Sequence, residues 1–193
     1  IGAWIRDSMA GIGTMTYYDP ETGSFGALGH GITDSDTGIL MPFASGSLLP
    51  SAVKAVKKGA SGEAGELRGD FDLTGDLGDL SANTSSGIFG TLDPGEFTER
   101  LGDAIPVASA GEVHTGPAAI LANVEGDAVK EYDIEILQIV EDAADSRDLV
   151  IAVTDPELLS ITGGIVQGMS GSPILQDGKF AGAVTHVLLN DPS

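Results

Sequence analysis

Short strand-like segments recur at close intervals along this 193-residue chain, and glycine-rich punctuation separates them. The run from Tyr132 to Ile139 alternates between apolar and polar residues for most of its length, which is the period of a half-buried strand. Other segments of this kind are GIGTMTYYD, FGALGHGI, AVKAVKKG, PAAILANVEGD, DLVIAVTD and KFAGAVTHVLL. Regular short strands bounded by turn signals predict an all-β barrel or sandwich.

Local signals for turns and helices agree with a β-rich fold. The pair Asp177-Gly178 suits a two-residue hairpin turn, because both residue types tolerate the positive φ angles that such turns need. The best helix signal is DPELLS at 155–160, where Asp155 is suited to the N-cap and Pro156 to the first helical position. Convincing helices are otherwise few.

The domain organisation predicted from the sequence is a single domain over residues 1–193 with two β lobes. The acidic, glycine-rich stretch at 69–87 is interpreted as a surface loop, and the seam between the lobes is expected near 69–110.

Composition excludes several functional classes. The net charge of −20 repels phosphate backbones, which argues against nucleic-acid binding. The chain has no cysteine, and therefore neither a disulfide framework nor a thiolate metal site. No apolar run reaches the length of a membrane span. The stretch TDSDTG at 33–38 lacks the glycine offset and the final glutamate of a calcium loop, so neither a metal nor another cofactor is predicted.

Glycines frame one serine in the stretch Gly168-Met169-Ser170-Gly171-Ser172-Pro173. A serine that attacks a carbonyl needs a sharply turned backbone and converging amides that stabilise the oxyanion. Gly168 supplies the conformational freedom, and the amides of Gly168 and Ser170 are the expected oxyanion hole. Ser172 precedes Pro173, and its hydroxyl is expected to bond locally within the turn.

A serine nucleophile requires a base, and the chain offers three histidines. His30 lies between two glycines in GALGHGI, and is the predicted base. Histidine before serine along the chain is the order of the two-barrel serine peptidases, and it excludes the α/β-hydrolase order. The predicted fold is therefore a two-lobed, trypsin/chymotrypsin-like double β-barrel.

Two long stretches carry a resemblance to a known family. GIGTMTYYDPETGSFGALGHGITDSDTG at 11–38 and TGGIVQGMSGSPILQDGKFAGAVTHVLLNDP at 162–192 resemble the stage IV sporulation protein B (SpoIVB-type) peptidases of spore-forming bacteria. The resemblance covers nearly the whole chain. It implies a serine endopeptidase with Ser170 as nucleophile and His30 as base.

The resemblance also implies a biological setting. Family members act in the space between the forespore and mother-cell membranes, where they cleave themselves and a membrane-anchored regulatory protein in sporulation signalling. They usually carry an N-terminal membrane segment and a PDZ domain, so this sequence is expected to be the peptidase domain alone.

The third catalytic residue implied by the resemblance is Asp155, in VTDPELL. Asp155 is also suited to a helix N-cap, and the two roles compete for one carboxylate. The aspartate of two-barrel peptidases usually precedes the second lobe, which keeps five other candidates open: Asp34, Asp36, Asp72, Asp76 and Asp79.

The strand after Ser170 is the predicted substrate-binding element. Ala183, Val184 and Thr185 are expected to offer main-chain hydrogen bonds to the residues before the scissile bond. Two further histidines receive supporting roles: His186 is expected to pack beside the site, and His114 to lie on the surface. The alternative function is a catalytically silent homologue that binds a peptide or protein partner through the same cleft.

Overall fold

The computed structural model of the protein describes residues 10–34, 36–93, 95–99, 101–140 and 148–187. Its strands are β1 (Met15–Asp19), β2 (Ser24–Ala27), β3 (Ser47–Leu48), β4 (Ser51–Lys57), β5 (Glu66–Phe71), β6 (Gly78–Thr84), β7 (Gly87–Leu92), β8 (Gly116–Ala122), β9 (Lys130–Ile139), β10 (Leu149–Val153), β11 (Pro173–Gln176) and β12 (Lys179–Ala183). Its helices are α1 (Glu96–Glu99), a short 3-10 helix (Ala110–Glu112) and α2 (Pro156–Thr162).

The first lobe is a five-stranded antiparallel sheet in the order β1-β2-β7-β6-β3. Its core is small and is formed by Phe25, Ala27, Ile88 and Leu92. Two of these residues lie on β2, the strand that leads directly to His30. The strand that positions the predicted base is therefore fixed by the centre of its own lobe.

The second lobe is a five-stranded antiparallel sheet in the order β10-β9-β8-β11-β12. In β9 the side chains of Tyr132, Ile134 and Ile136 are buried, while the residues between them are exposed. This confirms the half-buried strand predicted from the alternating sequence, because successive side chains of a strand point to opposite faces.

A separate hairpin of β4 and β5 belongs to the first half of the chain but packs on the second lobe. Leu67 is buried in the core of the second lobe. Val53 exchanges two backbone hydrogen bonds with Gly126, and the Leu67 amide donates to the Gln167 carbonyl at 2.8 Å. The hairpin thereby supports the segment that leads to Ser170.

The all-β, two-lobed fold predicted from the sequence is confirmed. The Asp177-Gly178 turn joins β11 to β12, with φ angles of 52° and 74°. The last predicted strand ends at Ala183 in the structure, and its residues 188–189 lie outside the described residues.

The interpretation of residues 69–87 as a surface loop is wrong. This stretch contains the end of β5 and the whole of β6. Acidic residues and glycines mislead here because the strand pairs with β7, and Gly90 packs so closely on the Asp79 carbonyl that a Cβ would lie 2.1 Å from it. The chain passes from the first sheet to the second between β7 and β8.

Two neighbouring residues of β9 test the assignment of its buried face. Ile136 is 1% exposed and Leu137 is 53% exposed. We expect Ile136→Ala to lower the free energy of unfolding by about 2–5 kcal/mol, because it leaves a cavity in the second core. We expect Leu137→Ala to lower it by less than about 1 kcal/mol. Urea denaturation of both variants measures the difference, and equal effects would contradict the register of β9.

Candidate active site

The loop that carries Ser170 is held by its neighbours on both sides. The Met169 amide donates to Val166 O at 3.1 Å, and the Ser172 amide donates to Met169 O at 3.0 Å. The Met169 side chain is 1% exposed and packs in the second core. An apolar side chain buried at the middle of the turn therefore fixes the loop, while Ser170 next to it stays half-exposed.

Two amides of this loop remain available. Met169, Gly171 and Ser172 donate their amides to backbone carbonyls. Among the described residues, the amides of Gly168 and Ser170 have no hydrogen-bond acceptor. Gly168 adopts a φ of 99°, which side-chain-bearing residues rarely adopt. These are the two amides that the sequence predicts as an oxyanion hole.

Gly171 lies where the two lobes meet. Its backbone approaches the first lobe so closely that a Cβ would lie 2.2 Å from Thr14 O and 2.6 Å from Leu28 N. The Thr14 amide donates to Ser170 O at 2.9 Å, and the Thr14 hydroxyl donates to Gly168 O at 3.2 Å. A glycine is required here because it allows the Ser170 loop to dock directly on the strand entering the first lobe.

His30 follows a tight turn at the end of β2. Leu28 and Gly29 both have positive φ angles, 69° and 67°. The strained Leu28 is held by its amide, which donates to Thr14 O at 3.1 Å. A Cβ on Gly29 would lie 2.6 Å from Thr185 Cγ2. The turn thus brings His30 against the segment that also contacts Ser170.

The His30 ring contacts a backbone oxygen. Its Nδ1 lies 3.0 Å from Gly31 O. A proton on Nδ1 donates in this contact and leaves the lone pair on Nε2. Within the described residues, no carboxylate bonds to His30 and no hydrogen bond joins it to Ser170. The exposed ring of His186 lies beside it, with the two ring centroids 5.7 Å apart.

The two serines of the loop differ sharply in environment. Ser170 Oγ faces Thr185 O at 3.5 Å, the outer limit of a hydrogen bond. Ser172 is 0% exposed, and its Oγ has no partner among the described residues. The expectation that Ser172 bonds within the turn is therefore wrong. Its burial leaves Ser170 as the serine that a substrate can reach.

Asp155 acts as a helix cap in the structure. Its carboxylate accepts a hydrogen bond from the Leu158 amide at 2.9 Å at the start of α2, and Pro156 occupies the first turn. The Asp155 amide donates to Asp133 O, which ties the cap to β9. The structure does not join Asp155 to His30, and its role as the orienting acid stays a prediction.

Among the described residues, none of the five alternative aspartates forms a hydrogen bond or an ion pair with the His30 ring. Asp34 accepts from the amides of Asp36 and Thr37, which makes TDSDTG a capped turn. Asp36 lies in the same turn, the carboxylates of Asp72 and Asp76 accept hydrogen bonds within local turns, and Asp79 is an exposed residue of β6. The described residues contain no cluster of three or more His, Asp or Glu side chains suited to a metal ion.

Of the three residues predicted to bind substrate, only Ala183 and Thr185 can direct their main-chain groups toward it. Val184 donates its amide to Ser172 O and accepts from the Gly171 amide, so both of its main-chain groups are occupied. Val184 is therefore corrected from a substrate-binding residue to a structural one, 3% exposed. Since backbone groups alternate along a strand, those of Ala183 and Thr185 point to the opposite edge.

His114 lies on the surface, away from this site. Its Nδ1 contacts Thr115 O and its Nε2 lies 2.9 Å from the Asp177 carboxylate. The Thr115 carbonyl, followed by Asp177, raises the pKa of His114 above the usual imidazole value. The His114–Asp177 pair stabilises the turn between β11 and β12. His114 is therefore not a candidate for the base of the site.

The fold and the family comparison together define a class of enzyme. The all-β, two-lobed architecture is that of two-barrel peptidases. The chain belongs to the SpoIVB peptidase S55 family, whose sequence model matches residues 1–193. It is therefore a peptidase, a hydrolase whose substrates are proteins or peptides.

The other comparisons add no relative, since no curated protein and no solved structure matches the chain. Within the described segments, neither α-helix has the length and apolar character needed to cross a bilayer.

The contact at Gly171 generates a prediction for stability. We expect Gly171→Ala to lower the free energy of unfolding by about 2 kcal/mol or more, because the methyl group meets Thr14 O and the φ of 94° is strained. Gly111→Ala is the control, because a Cβ there meets nothing within 4 Å. Urea denaturation measures both, and a Gly171→Ala protein as stable as the control would refute the close docking of the lobes.

Proposed function

We propose that this peptidase is a serine endopeptidase in which Ser170 is the nucleophile and His30 the general base. The observation that carries the proposal is the pair of unbonded amides, Gly168 and Ser170, in the stretch 167–172, whose other amides are bonded. Amides kept free inside a fixed loop are preorganised for a developing negative charge, and they need no rearrangement when that charge forms.

The proposed reaction follows from these positions. Ser170 Oγ attacks the substrate carbonyl while His30 Nε2 takes its proton. The carbonyl oxygen becomes an oxyanion and accepts hydrogen bonds from the Gly168 and Ser170 amides. His30 then gives the proton to the leaving amine, the C–N bond breaks, and an acyl-enzyme remains. Water then attacks the acyl-enzyme while His30 again takes the proton, the ester bond to Ser170 Oγ breaks, and the carboxylic acid product is released.

Orientation of the base is proposed to come from the Gly31 carbonyl. Its 3.0 Å contact with His30 Nδ1 holds one tautomer and turns Nε2 toward the cleft. The substrate residues before the scissile bond are proposed to pair with the outward main-chain groups of Ala183 and Thr185. The Thr185 carbonyl, which faces Ser170 Oγ, belongs to this edge.

The biological setting is proposed on the strength of the family. The enzyme cleaves itself and a membrane-anchored regulatory protein in sporulation signalling, in the space between the forespore and mother-cell membranes. Membership of the SpoIVB peptidase S55 family supports this setting.

A catalytically silent homologue is the second candidate, favoured by the absence of a hydrogen bond between the described residues Ser170 and His30. Catalytic hydrogen bonds are often loose in unliganded enzymes and tighten with substrate. Titration with a fluorophosphonate separates the two functions. Stoichiometric labelling of Ser170 supports the peptidase, and an unlabelled protein supports the silent homologue.

Substitution of the catalytic pair gives the main prediction. We expect Ser170→Ala to lower turnover of labelled casein by about three orders of magnitude or more, His30→Ala to do the same, and the double variant to lose little more, because the two residues act as a unit. Ser172→Ala is the control. It should keep its activity without losing stability, since it removes a buried hydroxyl that has no partner. Activity that persists in Ser170→Ala would overturn the assignment.

The two roles of Asp155 can be separated by comparing two substitutions. Asn caps helices about as well as Asp, whereas Ala costs about 1 kcal/mol. Because the carboxylate caps α2, we expect Asp155→Asn to keep both stability and most of the turnover, and Asp155→Ala to lose stability. Casein turnover and urea denaturation measure the two effects. A thousandfold loss of turnover in a fully stable Asp155→Asn protein would instead establish it as the orienting acid.

A further inference from the structure

On its outer edge, β5 has several backbone groups that form no hydrogen bond with any other described residue. In the β4–β5 hairpin, Val53 lies opposite Gly69 and directs its groups away from β5, to Gly126. This pair is therefore a non-hydrogen-bonded one, and Gly69 also points away from β4. By the same alternation Leu67 and Phe71 point outward. Of these outward groups, the Leu67 amide is bonded, to Gln167 O.

Beyond Gln167 this edge borders a groove. The groove has a volume of about 580 Å³ and lies between the outer edge of β5 and residues 10–12. Gln167 and Gly168 form part of its wall. In the described residues the amides of Gly69 and Phe71 and the carbonyls of Leu67 and Gly69 have no partner. An open strand edge of this kind can accept an extended peptide as an added strand.

The position of Gly168 indicates which part of a substrate peptide would enter the groove. Gly168 lines the groove, and its amide is one of the two free amides, the other being that of Ser170. On the acyl side, Thr185 O faces Ser170 Oγ. A peptide that passes Thr185 and places its carbonyl oxygen at these amides must continue past Gly168. Its next residues, which form the leaving group, then run into the groove.

We infer that β5 is the leaving-group subsite: the substrate residues after the scissile bond bind as an extra strand on the outer edge of Leu67–Phe71. This inference rests on the proposed serine-peptidase function. Ile12 and Phe71 contribute apolar side chains to the groove lining, which also includes Glu66 and Arg68. The subsite therefore takes an extended peptide with an apolar side chain close to the new amino terminus.

Acyl transfer tests the subsite by itself. p-Nitrophenyl acetate acetylates Ser170, and the release of p-nitrophenolate leaves the groove empty in the acetyl-enzyme. An added peptide amine then attacks the acetyl carbon, the ester bond to Ser170 Oγ breaks, and the amine proton passes through His30 to Ser170 Oγ. The products are an N-acetyl peptide and free enzyme. The ratio of N-acetyl peptide to acetate, measured by mass spectrometry, reports how well the amine binds.

We expect the tripeptide amide Gly-Leu-Ala-NH2 to give a ratio at least about tenfold above that of glycinamide, because it adds main-chain bonds and apolar contact. Methylation of its Leu and Ala amide nitrogens should lower the ratio at least about threefold, since it removes strand hydrogen bonds. Phe71→Ala should also lower the ratio for the tripeptide. Leu73→Ala, 79% exposed and outside the groove lining, should leave it unchanged.

The outcomes separate the inference from the proposed function. Release of p-nitrophenolate that is the same in Ser170→Ala would overturn the serine mechanism, and the subsite with it. A Ser170-dependent release with equal ratios for glycinamide, the tripeptide and its methylated form would overturn the subsite alone. The subsite is also overturned if Phe71→Ala and Leu73→Ala behave alike, or if another part of the chain fills the groove so that no peptide changes the ratio.

Discussion

The site depends on one close contact, the docking of Gly171 against the backbone of Thr14 and Leu28. Thr14 links the lobes, since its amide donates to Ser170 O and its carbonyl accepts from the Leu28 amide. These bonds tie the Ser170 loop of the second lobe to the turn that presents His30 in the first. A side chain at position 171 would meet the backbone of Thr14 and Leu28, and it would therefore disturb the placement of Ser170 relative to His30, the proposed nucleophile and base.

The same loop combines rigidity with two unused amides. Met169 is buried and its own amide is bonded, as are those of Gly171 and Ser172, so the backbone of the loop is fixed while the amides of Gly168 and Ser170 stay without an acceptor among the described residues. In the proposed mechanism, free amides at a fixed position donate hydrogen bonds to a charged intermediate without any rearrangement of the loop. This explains why glycines, which alone tolerate the required φ angles, surround the serine.

The β4–β5 hairpin supports the Ser170 loop and also borders the groove that is proposed to bind substrate. It packs on the second core through Leu67, bonds to Gln167, and keeps its outer edge open beside Gly168. On the opposite side of Ser170 lie Ala183, at the end of β12, and Thr185 just beyond it. If both edges bind substrate as proposed, a long, extended peptide would lie across Ser170, as the proposed endopeptidase activity requires.

The sequence by itself determined the features that depend on neighbouring residues. The alternating β9, the Asp177-Gly178 turn, the cap at Asp155 and the glycine frame of Ser170 are all set by local backbone preferences and side-chain periodicity. Residues 69–87 have the composition of a loop, yet pairing with β7, the next strand along the chain, makes a strand of much of this stretch. The burial of Ser172, the direction of Val184 and the contact of His30 with Gly31 could be decided only by the tertiary structure. Each depends on which backbone groups from the other segments of the fold are already bonded, and no local pattern encodes that choice.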